Sequence, residues 1–133
     1  VNPISVLVGS GVVVYGQKTR SATTSALDRV NVARLIVYLR RQLDLIARQY
    51  LFEPNDEITR LEIKNQIEKE LLSIQTNRGL YDWAVVCDLS NNTPDRIDRN
   101  ELWVDVAIEP VKAVEFIYIP VRIKNTGDIA AGL

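Results

Sequence analysis

The spacing of apolar residues changes part-way along this chain, from steps of three and four to steps of two, and few folds accommodate such a change. Val32, Leu35, Ile36, Leu39, Leu43, Ile46 and Tyr50 fall on one face of a helix predicted over 32–49. Asn31 stands just before it, with a short side chain suited to accept from the free amides of a first turn. Pro54 blocks continuation, Asn55 or Asp56 can cap a second helix over 57–76, and Glu57 suits the positive end of its dipole. Ile58, Leu61, Ile67, Leu71 and Ile74 form the expected apolar stripe, and Gly79 is a suitable terminator. The short connection implies a helical hairpin.

Beyond that hairpin the period is two. Trp83, Val85 and Cys87 alternate with polar or small neighbours over 81–88, and Leu102, Val104, Val106 and Ile108 do the same over 101–109. A last strand is expected over 113–123, where Ile117, Ile119, Val121 and Ile123 share one face while Phe116 and Tyr118 make the other apolar too. A strand apolar on both faces must be covered on both. Pro120 cannot donate to a ladder, so this strand belongs at an edge or leaves the sheet there. Before the helices, the β-branched run 11–16 reads as a strand, with Gly9 and Gly11 serving a bend or bulge. Thr93 and Pro94 open a single helical turn. The expected fold is therefore α+β: a small mixed sheet with strands near 11–16, 81–88, 101–109 and 113–123, covered on one face by the two-helix hairpin. A chain of 133 residues fits one domain, over 1–123. The polar, small-residue stretch 124–133 forms an extended arm or tail.

Chemistry is sparse. Histidine is absent, which removes the commonest general base, the commonest metal ligand and every Ser-His or Cys-His pair. The single cysteine, Cys87, lies in an apolar run and reads as a buried, inert thiol. Asp82, Asp88, Asp95, Asp98 and Asp105 are close in sequence and could supply a small carboxylate-dependent enzyme or ligand-binding domain, but they read better as caps and solvated loop acids. Asp88, Asn91 and Asp95 lack the spacing and turn glycine of an EF-hand. Gly9-Ser10-Gly11 lacks both the dinucleotide fingerprint and the Lys-Ser/Thr ending of a phosphate loop. No catalytic residue, cofactor or metal ligand is assigned. No apolar run is long enough to span a bilayer, and the first residues lack the basic region and cleavage site of a secretory signal. Methionine is absent throughout, which points to a processed or excised piece whose activity draws on further parts.

Charge is more informative. Formal net charge is -1, which argues against general nucleic-acid affinity. Locally, Arg29, Arg34, Arg40, Arg41 and Arg48 face the single acid Asp44. Arg34, Arg41 and Arg48 recur at sevens and so share one helical stripe, a candidate docking surface for an acidic protein partner. A nucleic-acid-binding use of the same arginines is the alternative, testable by salt-sensitive DNA binding.

Several segments carry a resemblance: Asn2-Pro3-Ile4, 11–19 (GVVVYGQKT), 29–35 (RVNVARL), 52–56 (FEPND), Asn92-Thr93-Pro94 with Ile97-Asp98, and 108–117 (IEPVKAVEFI). Each alone is a turn, cap or strand end. Their order and spacing resemble the C-terminal domain of contractile tail sheath proteins, found in phages and in related contractile injection systems. Family members commonly carry glycine where this chain has Asn100 and a second proline where it has Val114, departures expected to alter a turn and not the fold. The ending after Ile123 resembles that of T4-like sheaths and some injection-system sheaths.

The resemblance implies a non-enzymatic, self-assembling subunit that polymerises around a tail tube and contracts to drive the tube through a target envelope. It implies extended arms that add strands to neighbouring sheets, with Val121, Arg122, Ile123, Lys124 and Asn125 as candidate exchange residues. The basic stripe of Arg34, Arg41 and Arg48 becomes a candidate tube-facing surface. Implied partners are other copies of the subunit and the tail tube protein, with baseplate and tail terminator proteins as further candidates, and neither nucleic acid nor membrane. The implied location is a phage virion or a contractile particle assembled in the bacterial cytoplasm.

Overall fold

A computed structural model describes residues 2–123. Two strands, β1 (Ile4–Leu7) and β2 (Gly11–Val14), form an antiparallel hairpin in which Ile4 faces Val14 and Leu7 faces Gly11. Gly9 and Gly11 hold φ of 87° and 71°, left-handed values that glycine adopts without a Cβ penalty, so the expected bend is the hairpin's turn. The strand expected over 11–16 is thus β2, and its partner β1 is a strand not expected from the sequence.

Helix α1 (Val30–Gln49) and helix α2 (Glu57–Thr76) follow, each of 20 residues. Helix α1 begins two residues earlier than its apolar period implies, with Arg29 as N-cap and no side-chain cap. Asn31, the expected cap, lies inside the helix and donates its Nδ2 to the Val111 carbonyl at 3.2 Å. Asp56 caps α2 as expected, accepting from the Thr59 amide at 2.8 Å. The buried face of α2 carries Ile63, Ile67 and Leu71, with Ile74 packed beside them. Ile58 and Leu61, assigned to that stripe from sequence, are exposed; at about 100° per residue Ile58 lies about 180° and Leu61 about 120° around the helix from Ile67.

Helix α2 ends in a pair of bonds that tie its last carbonyls: the Gly79 amide to Ile74 O at 2.9 Å and the Arg78 amide to Gln75 O at 2.9 Å. The left-handed position belongs to Arg78, at φ 64°. Gly79 is required for space, since a Cβ there would lie 2.6 Å from Ile74 Cγ2. The chain then enters strand β3 (Leu80–Val86), a single helical turn α3 (Pro94–Asp98) and strand β4 (Asp105–Pro110). Asn100, at φ 59°, closes α3 with the same bond pattern, Glu101 N to Arg96 O and Asn100 N to Ile97 O. Asparagine tolerates this conformation, which explains why the departure from glycine leaves the turn intact.

Strands β3 and β4 are antiparallel, with Trp83 opposite Ile108, Ala84 opposite Ala107 and a bulge near Tyr81. The α+β class is as expected. The sheet differs in detail: instead of one mixed sheet there are two separate two-stranded antiparallel pairs, β1–β2 and β3–β4. The expected strand over 101–109 is shorter, and 113–123 forms no strand and has no ladder partner among the described residues. The physical reason is that a ladder needs a second backbone, and among the described residues none pairs with this segment.

Both helices cover one face of β3–β4. Leu39, Ile63, Ile67, Leu71, Leu80 and Val85 form the buried core, flanked by Trp83, Val106 and Ile108 from the sheet. Burying each such side chain contributes roughly 1.5–3 kcal/mol.

Candidate assembly surfaces

Two regions escape that core. The β1–β2 hairpin exposes Val6, Val12 and Val14, and no face of it is covered by the helices. The segment leaving β4 exposes Val114, Phe116, Ile117, Tyr118, Ile119, Val121 and Ile123; Phe116 is 74% exposed and Ile123 99%. The two regions approach one another around an open apolar cleft lined by Pro3, Val14, Tyr15, Val114 and Phe116. An exposed apolar stretch of this extent on a small domain marks an interaction surface.

The exit of this segment is held in one direction. The Val111 amide donates to the Gly79 carbonyl at 3.2 Å, and Asn31 binds the Val111 carbonyl. Arg29 then grips Glu115 with two parallel bonds, Nε to Oε1 at 2.8 Å and Nη2 to Oε2 at 3.0 Å. The guanidinium holds the Glu115 carboxyl below the usual carboxylate range, and Glu115 in turn raises the Arg29 pKa. These contacts pin 111–115 over the start of α1. None was legible locally, because the partners stand 80 and 86 residues apart.

Of the proposed exchange residues, Val121, Arg122 and Ile123 are exposed and lie outside any strand. Lys124 and Asn125 lie outside the described residues, as does the whole proposed arm 124–133. Arg34, Arg41 and Arg48 are all exposed along α1. Seven residues advance a helix by about 20° less than two full turns, so the three form a slightly slanted stripe. Arg48 pairs with Asp44 one turn away at 2.8 Å, while Arg34 and Arg41 make no ion pair among the described residues.

The acids between Asp82 and Asp105 are dispersed into local structural duties. Asp88 accepts from the Ser90 amide and hydroxyl, which lowers its pKa. Asp95 sits in the first turn of α3. Asp105 accepts from Asn91 Nδ2 at 2.9 Å. Asn91 and Asn92 are the centre of this region. Both are buried, and Asn92 fastens the Trp103 backbone twice, accepting from its amide at 2.7 Å and donating to its carbonyl at 2.9 Å. Arg96 stacks over the Trp103 ring at 4.0 Å from its centroid. Among the described residues no group of three or more acids, cysteines or histidines is placed to hold a metal. Cys87 is buried, and burial pushes its thiol pKa up, away from nucleophilic use.

The order of helical hairpin, bulged strand pair and pinned exit corresponds to a known domain. A family model for the phage tail sheath C-terminal domain matches residues 22–124. The chain belongs to that family. It is 43% identical over 117 residues to the tail sheath protein of Vibrio phage KVP40, a match covering 88% of this chain and 17% of the relative. With the tail sheath protein of Enterobacteria phage T4 it shares 35% identity over 127 residues, covering 96% of this chain and 19% of the relative. The sheath-family chain thus spans under a fifth of the length of these relatives. Its fold is shared with a chain of the anti-feeding prophage baseplate, at TM-score 0.83 and 21% identity, over 93% of this chain and 38% of that one. It is shared equally with a chain of the contracted sheath complex of an extracellular contractile injection system, at TM-score 0.83 and 23% identity, over 91% and 36%.

Proposed function

We propose that this chain is the inner assembly domain of a contractile tail sheath subunit, with a structural and not a catalytic role. In this reading 1–123 is the folded domain and 124–133 the arm. The subunit polymerises around a tail tube by exchanging strands with neighbouring copies, and contraction drives the tube through a target envelope. The observation that carries the reading is the pinned yet uncovered segment 114–123, apolar on both faces and lacking a ladder partner among the described residues. A neighbour's backbone supplies that partner, and because main-chain bonds do not depend on side-chain identity they persist while rigid domains swing. Val121, Arg122, Ile123, Lys124 and Asn125 are the exchange residues at its far end.

The stripe of Arg34, Arg41 and Arg48 faces an acidic tube surface. Exposed ion pairs contribute only about 0–1 kcal/mol each, so such a contact releases when subunits move outward. Baseplate and tail terminator proteins are the partners at the sheath's two ends, and the particle is a phage tail or a related bacterial device. Nucleic acid, membrane and cofactors have no part in the reading.

The test is removal of 121–133 from a full-length sheath polypeptide carrying this domain. The shortened protein is expected to stay folded by circular dichroism and to form no hollow tubes in negative-stain images. Unchanged tube formation would count against strand exchange. Charge reversal at Arg34, Arg41 and Arg48 together is expected to leave empty sheath tubes forming while weakening co-sedimentation with tail tubes at low salt.

A further inference from the structure

Phe52, in the turn between α1 and α2, is the most exposed aromatic side chain among the described residues, at 103%, and its φ is 71°. A bulky residue rarely holds that left-handed backbone, which glycine adopts without strain. Exposure and strain both count against phenylalanine here, and the ring takes no part in the buried core that would offset them.

The turn that imposes the strain is firmly held. The Glu53 amide donates to the Tyr50 carbonyl at 3.3 Å, and Pro54 disfavours helical backbone at Glu53. Asn55 Nδ2 donates to the Glu101 carbonyl at 2.9 Å, while the Asn55 carbonyl and Oδ1 accept from buried Arg60 at 3.2 and 3.0 Å. A strained residue kept in place by its surroundings marks a functional position, and a rigid turn spares a partner the cost of ordering it.

At the other end of α1 lies a cleft of about 500 Å³, with Val32, Leu35, Val111 and Ala113 as apolar walls and Arg34 and Arg78 beside them. Both bonds of Val111, to Gly79 and to Asn31, keep that wall in place. Arg78 and Glu53 are exposed, and neither makes an ion pair among the described residues. The turn thus offers a ring with a carboxylate next to it, and the cleft offers apolar walls with a guanidinium next to them. Within one chain the two cannot meet, because the 20 residues of α1, about 30 Å of helix, stand between them.

Resting on the self-assembly reading above, we propose that Phe52 and Glu53 of one copy dock in the Arg78 cleft of the next, the ring against Val32, Leu35, Val111 and Ala113 and the carboxylate on Arg78. The contact joins unlike ends of two copies, so every added copy leaves one turn and one cleft free. Such heterologous contacts propagate into rings or helical arrays. Side chains alone make this contact, which is independent of any main-chain pairing.

The test uses the full-length sheath polypeptide and varies Arg78, since Arg34 also belongs to the basic stripe. Glu53→Arg and Arg78→Glu are each expected to raise the protein concentration needed for tubes by at least about tenfold, as like-charge contacts at an interface do. An equimolar mixture of the two variants is expected to assemble where neither does alone, because each variant's turn then meets an oppositely charged cleft on the other. Phe52→Gly is expected to impair assembly to a similar degree while leaving the denaturation midpoint unchanged or higher, since glycine takes this backbone freely. Single charge variants that assemble normally, or a mixture no better than its components, would overturn the cleft assignment. A lowered midpoint in Phe52→Gly would overturn the docking role by giving the ring a part in its own fold. Failure of the unsubstituted protein to form tubes would instead remove the sheath reading.

Discussion

Leu71 and Phe116 are both large and apolar, and each sits in a run whose period marks it for burial, yet Leu71 is fully buried and Phe116 is 74% exposed. Leu71 belongs to a helix whose partners, Ile67, Leu80 and Val85, arrive from the same chain. Phe116 belongs to a segment held only at its root, by Arg29 and Asn31. The difference teaches that an apolar pattern specifies that a segment is to be covered and leaves open which chain does the covering. In the helix-on-sheet body the cover is internal. In the exit segment and the β1–β2 hairpin no described residue of the chain supplies it.

The sharpest way to break this contrast is to truncate both residues. Leu71→Ala is expected to cost the isolated domain about 2–5 kcal/mol, the transfer loss plus the cavity left in a packed core. Phe116→Ala is expected to shift stability by less than about 0.5 kcal/mol, as for surface positions generally, while impairing tube formation by the full-length protein. Chemical denaturation measures the first and electron microscopy the second. If Phe116→Ala destabilises the free domain as strongly as Leu71→Ala, the segment is part of the domain's own core and the contrast fails.

A smaller effect separates the two regions by polar means. Asn92 ties β4's approach to the end of β3 through both Trp103 backbone groups and the Asp88 carbonyl. Asn92→Ala leaves these buried groups without partners, at an expected cost of about 1–3 kcal/mol. The same loss should loosen the β3–β4 connection, read as faster amide exchange at Trp103 than in wild type. Equal stability of the variant would mean that solvent replaces the lost bonds and that the β3–β4 connection is looser than its geometry indicates.

The periodic elements were legible from sequence because their causes are local: the steps of three and four in α1, the Asp56 cap, the Thr93-Pro94 turn and the alternation in β3 and β4. What escaped reading has distant causes. Asn31 looked like a helix cap because its neighbours cannot reveal that Val111 lies beside it. Ile58 and Leu61 looked buried because a helix tolerates two plausible stripes, and only the position of the sheet chooses Ile63, Ile67 and Leu71. Segment 113–123 carried a two-faced apolar alternation that read as a strand, but alternation does not identify a ladder partner, and no strand forms there. The basic stripe on α1 was equally legible as a pattern, and its partner equally absent from it.

The smallest expected effect lies at the root of the exit, where the two regions join. The Arg29–Glu115 pair favours the charged carboxylate and so depresses the Glu115 pKa. A depressed pKa means that the anchor is intact above the ordinary glutamate range and is lost as pH falls through the lowered value, with no effect of this pair near neutrality. Glu115→Gln removes the charge at every pH. It is expected to leave the denaturation midpoint of the body nearly unchanged and to release 114–123, read as sharper amide resonances and faster exchange in that segment by NMR. Wild type should acquire the same signature on acidification, and the variant should show no further change there. If the segment keeps its direction in Glu115→Gln, the Val111 bonds to Gly79 and Asn31 hold the exit without the ion pair. The direction of 114–123 would then depend on two neutral hydrogen bonds at Val111, and Asn31→Ala would be the variant expected to release the segment.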